Sequence, residues 1–268
     1  MKMKNFIPIL PAALLAFQLS AAGAQDYDAR LSSLTGTVDV LAAGETDSWR
    51  EAEEEMPLSA KDKVRAGESS SAEITLDGGG VIRLGAGSVV EISSLDSASS
   101  SFFLRMGSLV AKIKKELLKR GARLQVRTPA AVAAIRGTEF GVEHDRENNE
   151  TTAGVFDEGS LSVASLGKDG KTVAEEVVGK GSEVRLRAGA RTFKPVAMRR
   201  LLRHRKALKA ARVRLGLLRK SWKRLDPEKR RELRKRFLAR KASRDKRVMK
   251  RRADGRLIDR AKRRLKNN

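Results

Sequence analysis

The sequence predicts a mainly β protein, an antiparallel sandwich or roll of many short strands, followed by a basic α-helical C-terminal extension. Three observations carry that expectation. Between residues 34 and 187 apolar side chains recur two apart over short spans, and clusters of Gly, Asp and Ser interrupt them. After Pro195 the turn glycines nearly vanish, and Lys, Arg and Leu take over.

The strands come first. Val38/Val40, Ile74/Leu76, Ile82/Leu84, Leu124/Val126, Phe140/Val142, Leu161/Val163 and Val184/Leu186 are i, i+2 pairs, which put both side chains on one sheet face. Between them stand LDGGGV, LGAGS, DEGSL and GKDGK. Asp-Gly and Gly-Gly supply the positive φ of tight hairpins, so successive strands are expected to pair antiparallel. Residues 109–120, LVAKIKKELLKR, alternate at first like a strand, whereas Ile113, Leu117 and Leu118 also suit a helical turn. The expectation is a strand with an irregular end.

In the extension, Leu201, His204, Leu208, Ala211, Leu215, Leu218, Trp222 and Leu225 recur at alternating three- and four-residue spacing, one narrow stripe on an otherwise basic helix. A second helix restarts at LDPEKRRELRKRF. Asp226 is placed as its N-cap, Pro227 at its first position and Glu228 near the positive end of the dipole, with Leu233 and Phe237 on its apolar face. A third short helix is expected at about 254–266, aligning Ile258, Ala261 and Leu265.

The N-terminus reads as a secretory signal over residues 1–24. Lys2 and Lys4 form its positive region, residues 6–19 its apolar run, and Ala22-Gly23-Ala24 the small residues at a cleavage site, with a mature start near Gln25. An uncleaved membrane anchor fits less well, because a spanning helix takes about 20 apolar residues and Pro8 and Pro11 interrupt this shorter run. No transmembrane helix is then expected after cleavage. The chain has no cysteine, which excludes lipoprotein-type lipid attachment, disulfides and thiolate metal sites.

Charge is unevenly distributed. The net charge of the 268 residues is +24, yet residues 197–268 hold 32 Lys+Arg against 6 Asp+Glu, net +26. The organisation expected is therefore a signal peptide (1–24), a near-neutral β domain (31–196) and a cationic helical tail (197–268).

TPAAVAAIRGTEFGVEH, residues 128–144, is the stretch that most resembles a functional loop. Neither G-x-x-x-x-G-K-[ST] nor G-x-G-x-x-G occurs, so no phosphate cradle is expected. A serine nucleophile needs an oriented base, and the β domain holds His144 alone with no G-x-S-x-G elbow. His144 is placed at the solvated edge of the EHDRENNE loop, which lacks the regular oxygen ligands of an EF-hand. A cell-wall hydrolase would need a carboxylate pair or metal cluster that the sequence does not display. No catalytic residue, cofactor or metal site is expected; Arg136-Gly137-Thr138 is read as a bend between two strands.

GTVDVL, KVRAGESSSAEITLDGGGVIRLGAGSVVEI, MGSLVAKI, LQVRTPAAVAAIRGTEFGV, AGVFDEGSLSV and GKGSEVRL stand in an order that resembles the FecR-type periplasmic domain, over about residues 34–190. The V-x-T-P-x-A…x-R-G-T-x-F block, which includes Thr128, Pro129, Arg136, Gly137, Thr138 and Phe140, is the most specific element. The resemblance implies an all-β extracytoplasmic module that binds or transmits rather than catalyses. It also implies turn geometry for Gly137 and Gly159, hydrogen bonds from Arg136 and Thr138 that tie the bend, and a core filled by Phe140, Val142, Leu161 and Val163. In the regulator that names the family, this domain senses an outer-membrane transducer and signals through a membrane span to a cytoplasmic anti-sigma segment. Here the signal peptide leads almost directly into the β domain, so that relay is not carried over.

The tail admits two readings that can both hold. One is a helical hairpin packed on itself or on the β domain with solvated charges outside. The other is a polyanion-binding element, with Arg199, Arg200, Arg203, Arg205, Arg212, Lys220, Arg230, Arg231 and Arg234 as the contacts. Export points to anionic lipid or envelope polymer as the tail's partner, and to a protein or envelope polysaccharide for the β domain, in the periplasm or cell envelope. Nucleic acid is the alternative; aromatics for base stacking are limited to Trp222 and Phe237 in the tail.

Overall fold

The computed structural model describes residues 26–118, 122–136 and 139–239. The expected signal peptide, Gly137 and Thr138 of the bend, and the helix expected at 254–266 lie outside the described residues.

The strands are β1 (Ala29–Thr35), β2 (Val38–Leu41), β3 (Arg50–Glu51), β4 (Pro57–Leu58), β5 (Lys63–Ala66), β6 (Ser71–Leu76), β7 (Gly80–Leu84), β8 (Val89–Leu95) and β9 (Ser99–Ile113). They continue with β10 (Arg123–Arg127), β11 (Ala131–Ile135), β12 (Glu139–Asp145), β13 (Glu150–Val155), β14 (Leu161–Leu166), β15 (Thr172–Val178), β16 (Ser182–Arg187) and β17 (Val196–Ala197). After a 3-10 turn at Leu201–His204 comes the helix α1 (Arg205–Ser221), and α2 begins at residue 227 and is described through 239.

Two layers share one strand. The first runs β4, β1, β6, β7, β9, β12, β13, β16, β17. The second runs β3, β2, β5, β8, β9, β10, β11, β14, β15. Residues 99–106 of β9 pair in the second layer and residues 107–113 in the first. Gly107 sits at this crossing with φ +89°, and a Cβ there would lie 2.6 Å from Ser88 Cα. Backbone conformation and close approach both require glycine at that corner.

Every i, i+2 pair named above lies in one apolar core between the layers. The chain changes layer between β11 and β12 and returns between β13 and β14. Across these crossings the Arg136 N–H donates to the Ser160 carbonyl (2.9 Å) and the Glu139 N–H to the Glu158 carbonyl (3.1 Å).

Three features differ from the sequence reading. β10 pairs parallel with β9, Arg123 standing beside Ser99 and Arg127 beside Phe103. β6, β12 and β13 are buried nearly throughout, without a solvated face. Their outer side lies under the C-terminal segment, where Arg214 reaches Glu73, Arg203 reaches Glu143 and Leu201 lies against Gly141 and Gly154; on the neighbouring strands Val110 packs with Phe156, Met198, Leu201 and Leu208, and Val81 with Ala211 and Leu215. Third, His144 is not solvated. It is buried within β12, where its Nδ1 meets Thr151 Oγ1 at 3.1 Å, and burial lowers its pKa.

Candidate interaction surface: arginines on a carboxylate face

The apolar stripe of α1 settles on the first layer through Leu208, Ala211 and Leu215, and on either side of it arginines reach carboxylates of the strands beneath. Glu143 on β12 is nearly buried and receives Arg203 Nη2 on both oxygens (2.6 Å each), Arg200 Nε (3.1 Å) and His204 Nε2. Burial alone would raise its pKa. Hydrogen bonds and charge from His204 and Arg203 outweigh that and hold it at about 2. Beside it, Glu183 accepts the backbone N–H groups of Arg200 (2.9 Å) and Leu201 (3.0 Å), donors left free where the 3-10 turn begins.

Further along α1, Arg212 bonds both oxygens of Glu139 (2.7 and 2.5 Å) and Asp157 (2.6 Å), and Lys112 reaches Glu139 at 2.9 Å. Arg205 lies 3.6 Å from Asp157, and Arg214 Nε donates to Glu73 at 3.2 Å. Glu139 is affected like Glu143: burial raises its pKa, and the bonds from Arg212 and Lys112 more than offset it.

Between the helices, Trp222 closes over the β6–β7 turn. The Arg30 guanidinium stacks on its ring 4.3 Å from the centroid, and a Cβ on Gly78 (φ +62°) would lie 2.5 Å from its Cγ. Asp28 is held by Arg30 and by the Leu225 N–H (2.9 Å). Asp226 caps α2 as expected, accepting the Lys229 N–H at 2.8 Å. Arg234 of α2 then reaches fully buried Asp62 with two bonds (2.6 and 2.7 Å), while Asp62 also accepts the N–H groups of Ala43 (2.9 Å) and Ser59 (2.8 Å). Arg230 reaches the Leu58 carbonyl and lies 3.7 Å from Asp28; burial lowers its pKa, against the raising field of the aspartates.

Of the nine tail residues expected to contact a polyanion, Arg200, Arg203, Arg205, Arg212, Arg230 and Arg234 thus make ion pairs within the molecule. Arg199 and Lys220 are exposed, and exposed Arg231 donates to the Pro227 carbonyl (3.3 Å). The sequence reading missed Arg214 and Arg224, which pair with Glu73 and with Asp77 (3.4 Å). The division follows side-chain chemistry. Among the described residues 197–239, eight arginines meet carboxylates and Arg199, Arg231 and Arg236 do not, whereas none of Lys206, Lys209, Lys220, Lys223, Lys229 and Lys235 meets one. A planar guanidinium fits a carboxylate with two parallel bonds and sheds water readily; an ammonium is a strongly hydrated point charge.

Of the motif expected around the bend, Thr128, Pro129, Arg136, Phe140 and Gly159 are among the described residues. Thr128 is buried and its Oγ1 accepts the N–H groups of Ala130 (3.2 Å) and Ala131 (2.9 Å), forming the turn in which Pro129 is exposed. Thr128 also bonds Thr151 (2.7 Å), which joins it to His144. The Arg136 side chain is exposed, Phe140 is in the core, and Gly159 has φ +102° where the chain leaves β13. A cleft of about 500 Å³ between α2 and the β domain is lined by Asp26, Asp28, Arg224, Arg230, Arg231 and Arg234, among others.

The family model described as FecR protein matches residues 62–160. The chain carries a FecR domain. That match runs from the first residue before β5 to the last before β14, narrower than the span of resemblance in the sequence. Within the FecR domain lie Asp62, Glu73, Glu139, Glu143 and Asp157, the carboxylates that receive Arg234, Arg214, Arg212, Arg203 and Arg205 from beyond it. No curated protein matches the chain. Two crystal structures of a proposed anti-sigma factor from Parabacteroides distasonis are similar at 16% identity, with a TM-score of 0.43. The similarity covers 52% of this chain and 61% of that one. No helix among the described residues is long and apolar enough to cross a membrane.

The Glu143 cluster makes a pH test available. Its pKa falls from 4.5 to about 2 on folding, so between those values the unfolded chain binds more protons than the folded one. The stabilisation is complete above about 4.5 and is lost as pH falls towards 2. With partial screening at the half-exposed arginines, it amounts to about 2 kcal/mol. In thermal melts across pH, the gap between the native chain and Glu143→Gln is expected at neutral pH and to close on acidification; a gap that does not depend on pH contradicts the cluster.

Proposed function

We propose that this protein is an exported, non-enzymatic sensing or scaffold module of the bacterial envelope. Its β domain receives a protein or polysaccharide partner, and its C-terminal helices serve both as a strap on that domain and as an attachment to an anionic surface. The FecR domain across residues 62–160 carries this reading, since the family resemblance implies binding and transmission. The sequence of residues 1–24 supports export. The engagement of Glu139 and Glu143 by arginines supports a non-enzymatic role, because a carboxylate whose pKa is lowered in this way is a poor proton carrier at neutral pH.

Fractionation of a bacterial host expressing the full chain, with mass spectrometry of the N-terminus, tests the reading. The expected result is an envelope or periplasmic protein starting near Gln25. An uncleaved chain retained in the cytoplasm would overturn it.

A further inference from the structure

Arg205, Arg212 and Arg214 of α1 meet carboxylates of the β domain, which leaves a second face of the same helix. Lys206, Lys209, Val213, Leu217 and Lys220 follow one another at three- and four-residue steps, so they share one side, opposite Leu208, Ala211 and Leu215. Val213 and Leu217 are 59% and 60% exposed. None of the three lysines meets a carboxylate among the described residues, and the 17 residues of α1 include no Asp or Glu. Residues 240–268 of the sequence add 14 Lys+Arg against 3 Asp+Glu.

We propose that this outer face of α1 docks on an anionic lipid surface, with Val213 and Leu217 entering the headgroup boundary and the lysines meeting lipid phosphates. Charge complementarity selects the occupant. A second copy of this chain meeting tail to tail would set one basic helix against another, and the carboxylates nearest α1, Glu73, Glu139 and Glu143, already hold arginines. Lipid suits the lysines in particular. Their long stems lie along apolar surface while the ammonium stays hydrated at the headgroups, a role that mixed Lys and Val/Leu faces fill on interfacial helices. α1 is held on the first layer by its buried side, and Lys206, Lys209, Val213 and Leu217 form the helix wall of an open groove whose other wall is Ser33, Glu73 and Arg83.

The proposal rests on the envelope reading for its choice of surface, and its test is independent of export. Because the chain has no native cysteine, Leu217→Cys can carry an environment-sensitive dye on the otherwise complete protein, with Thr172→Cys on exposed β15 as the reference position. Vesicles of phosphatidylcholine alone and mixed with phosphatidylglycerol are the probes. The dye at 217 is expected to shift to the blue on the mixed vesicles, to recover in high salt, and to stay unchanged on phosphatidylcholine; the dye at 172 stays unchanged throughout.

Lys206→Gln/Lys209→Gln/Lys220→Gln is expected to weaken vesicle binding on the order of 100-fold, at about fivefold per lysine. The same charge removed from the β domain, at Lys168, Lys171 and Lys180, is expected to weaken it much less. Equal losses in the two triple variants, or no shift at 217, overturn the docking face. A shift with polyglutamate but not with vesicles overturns lipid as the occupant and points to an acidic protein. Export with no vesicle docking defeats this inference alone, and docking by a protein retained in the cytoplasm defeats the envelope reading alone.

Discussion

Ending the chain at Ala197 is expected to cost the β domain about 5 kcal/mol and to make it self-associate. Val81, Val110 and Phe156 are buried only because Leu201, Leu208, Ala211 and Leu215 lie on them. Returning these three side chains to water loses about 2 kcal/mol each by apolar transfer, as an upper estimate. The carboxylates respond differently. With the strap gone Glu139 and Glu143 regain water, so their loss of partners adds less than the apolar loss. What is left is a contiguous apolar patch ringed by negative charge, a surface that monomers seldom display. Urea denaturation and size-exclusion chromatography check this: a truncated chain as stable and as monomeric as the full one would mean that α1 does not dock. The removed segment is not expected to be helical by itself, since a basic helix of this length without acidic partners is marginal in water.

The second large effect is expected from one side chain. Arg234→Met keeps α2 and its cover over Asp62 while removing the cation that Asp62 faces. Asp62 has no exposure and retains only the N–H groups of Ala43 and Ser59. Taking one partner from a buried pair typically costs about 3–5 kcal/mol, because the remaining charge stays out of water. The expected outcome is a loss of about 3 kcal/mol in chemical denaturation, part of which Asp62→Asn restores in the double variant. A loss below about 0.5 kcal/mol, the size of an ordinary surface change, would contradict the contact. The truncation removes apolar cover and the arginines together, Arg234 included, whereas this substitution isolates the buried charge within the same strap.

The candidate surface was legible in outline only. The stripe at Leu208, Ala211 and Leu215 is a matter of spacing, and it marked the buried side of α1 without showing what it would meet. Treating the cationic tail as a unit predicted which residues could hold anions, but not that arginines and lysines would divide. Arg203 finds Glu143 60 residues away and Arg234 finds Asp62 across 172, distances in sequence at which no pattern links the two. His144 shows the same limit. A lone histidine at the end of an alternating strand reads as solvated, and only the turn at Thr128, packed against Thr151, encloses it.

By itself, the sequence determined the local conformations of this protein: short strands, their turns, the N-cap at Asp226 and the two helices that are described. Each depends on side chains within a few residues of one another, where period two, period 3.6 and positive-φ glycines act directly. The tertiary structure alone decided that β9 serves both layers through Gly107, that β12 and β13 are covered on both faces, and that arginines of the tail settle on FecR-domain carboxylates. Those outcomes depend on which surfaces meet after the chain has folded back on itself, and burial and ion pairing act through space without regard to separation along the chain.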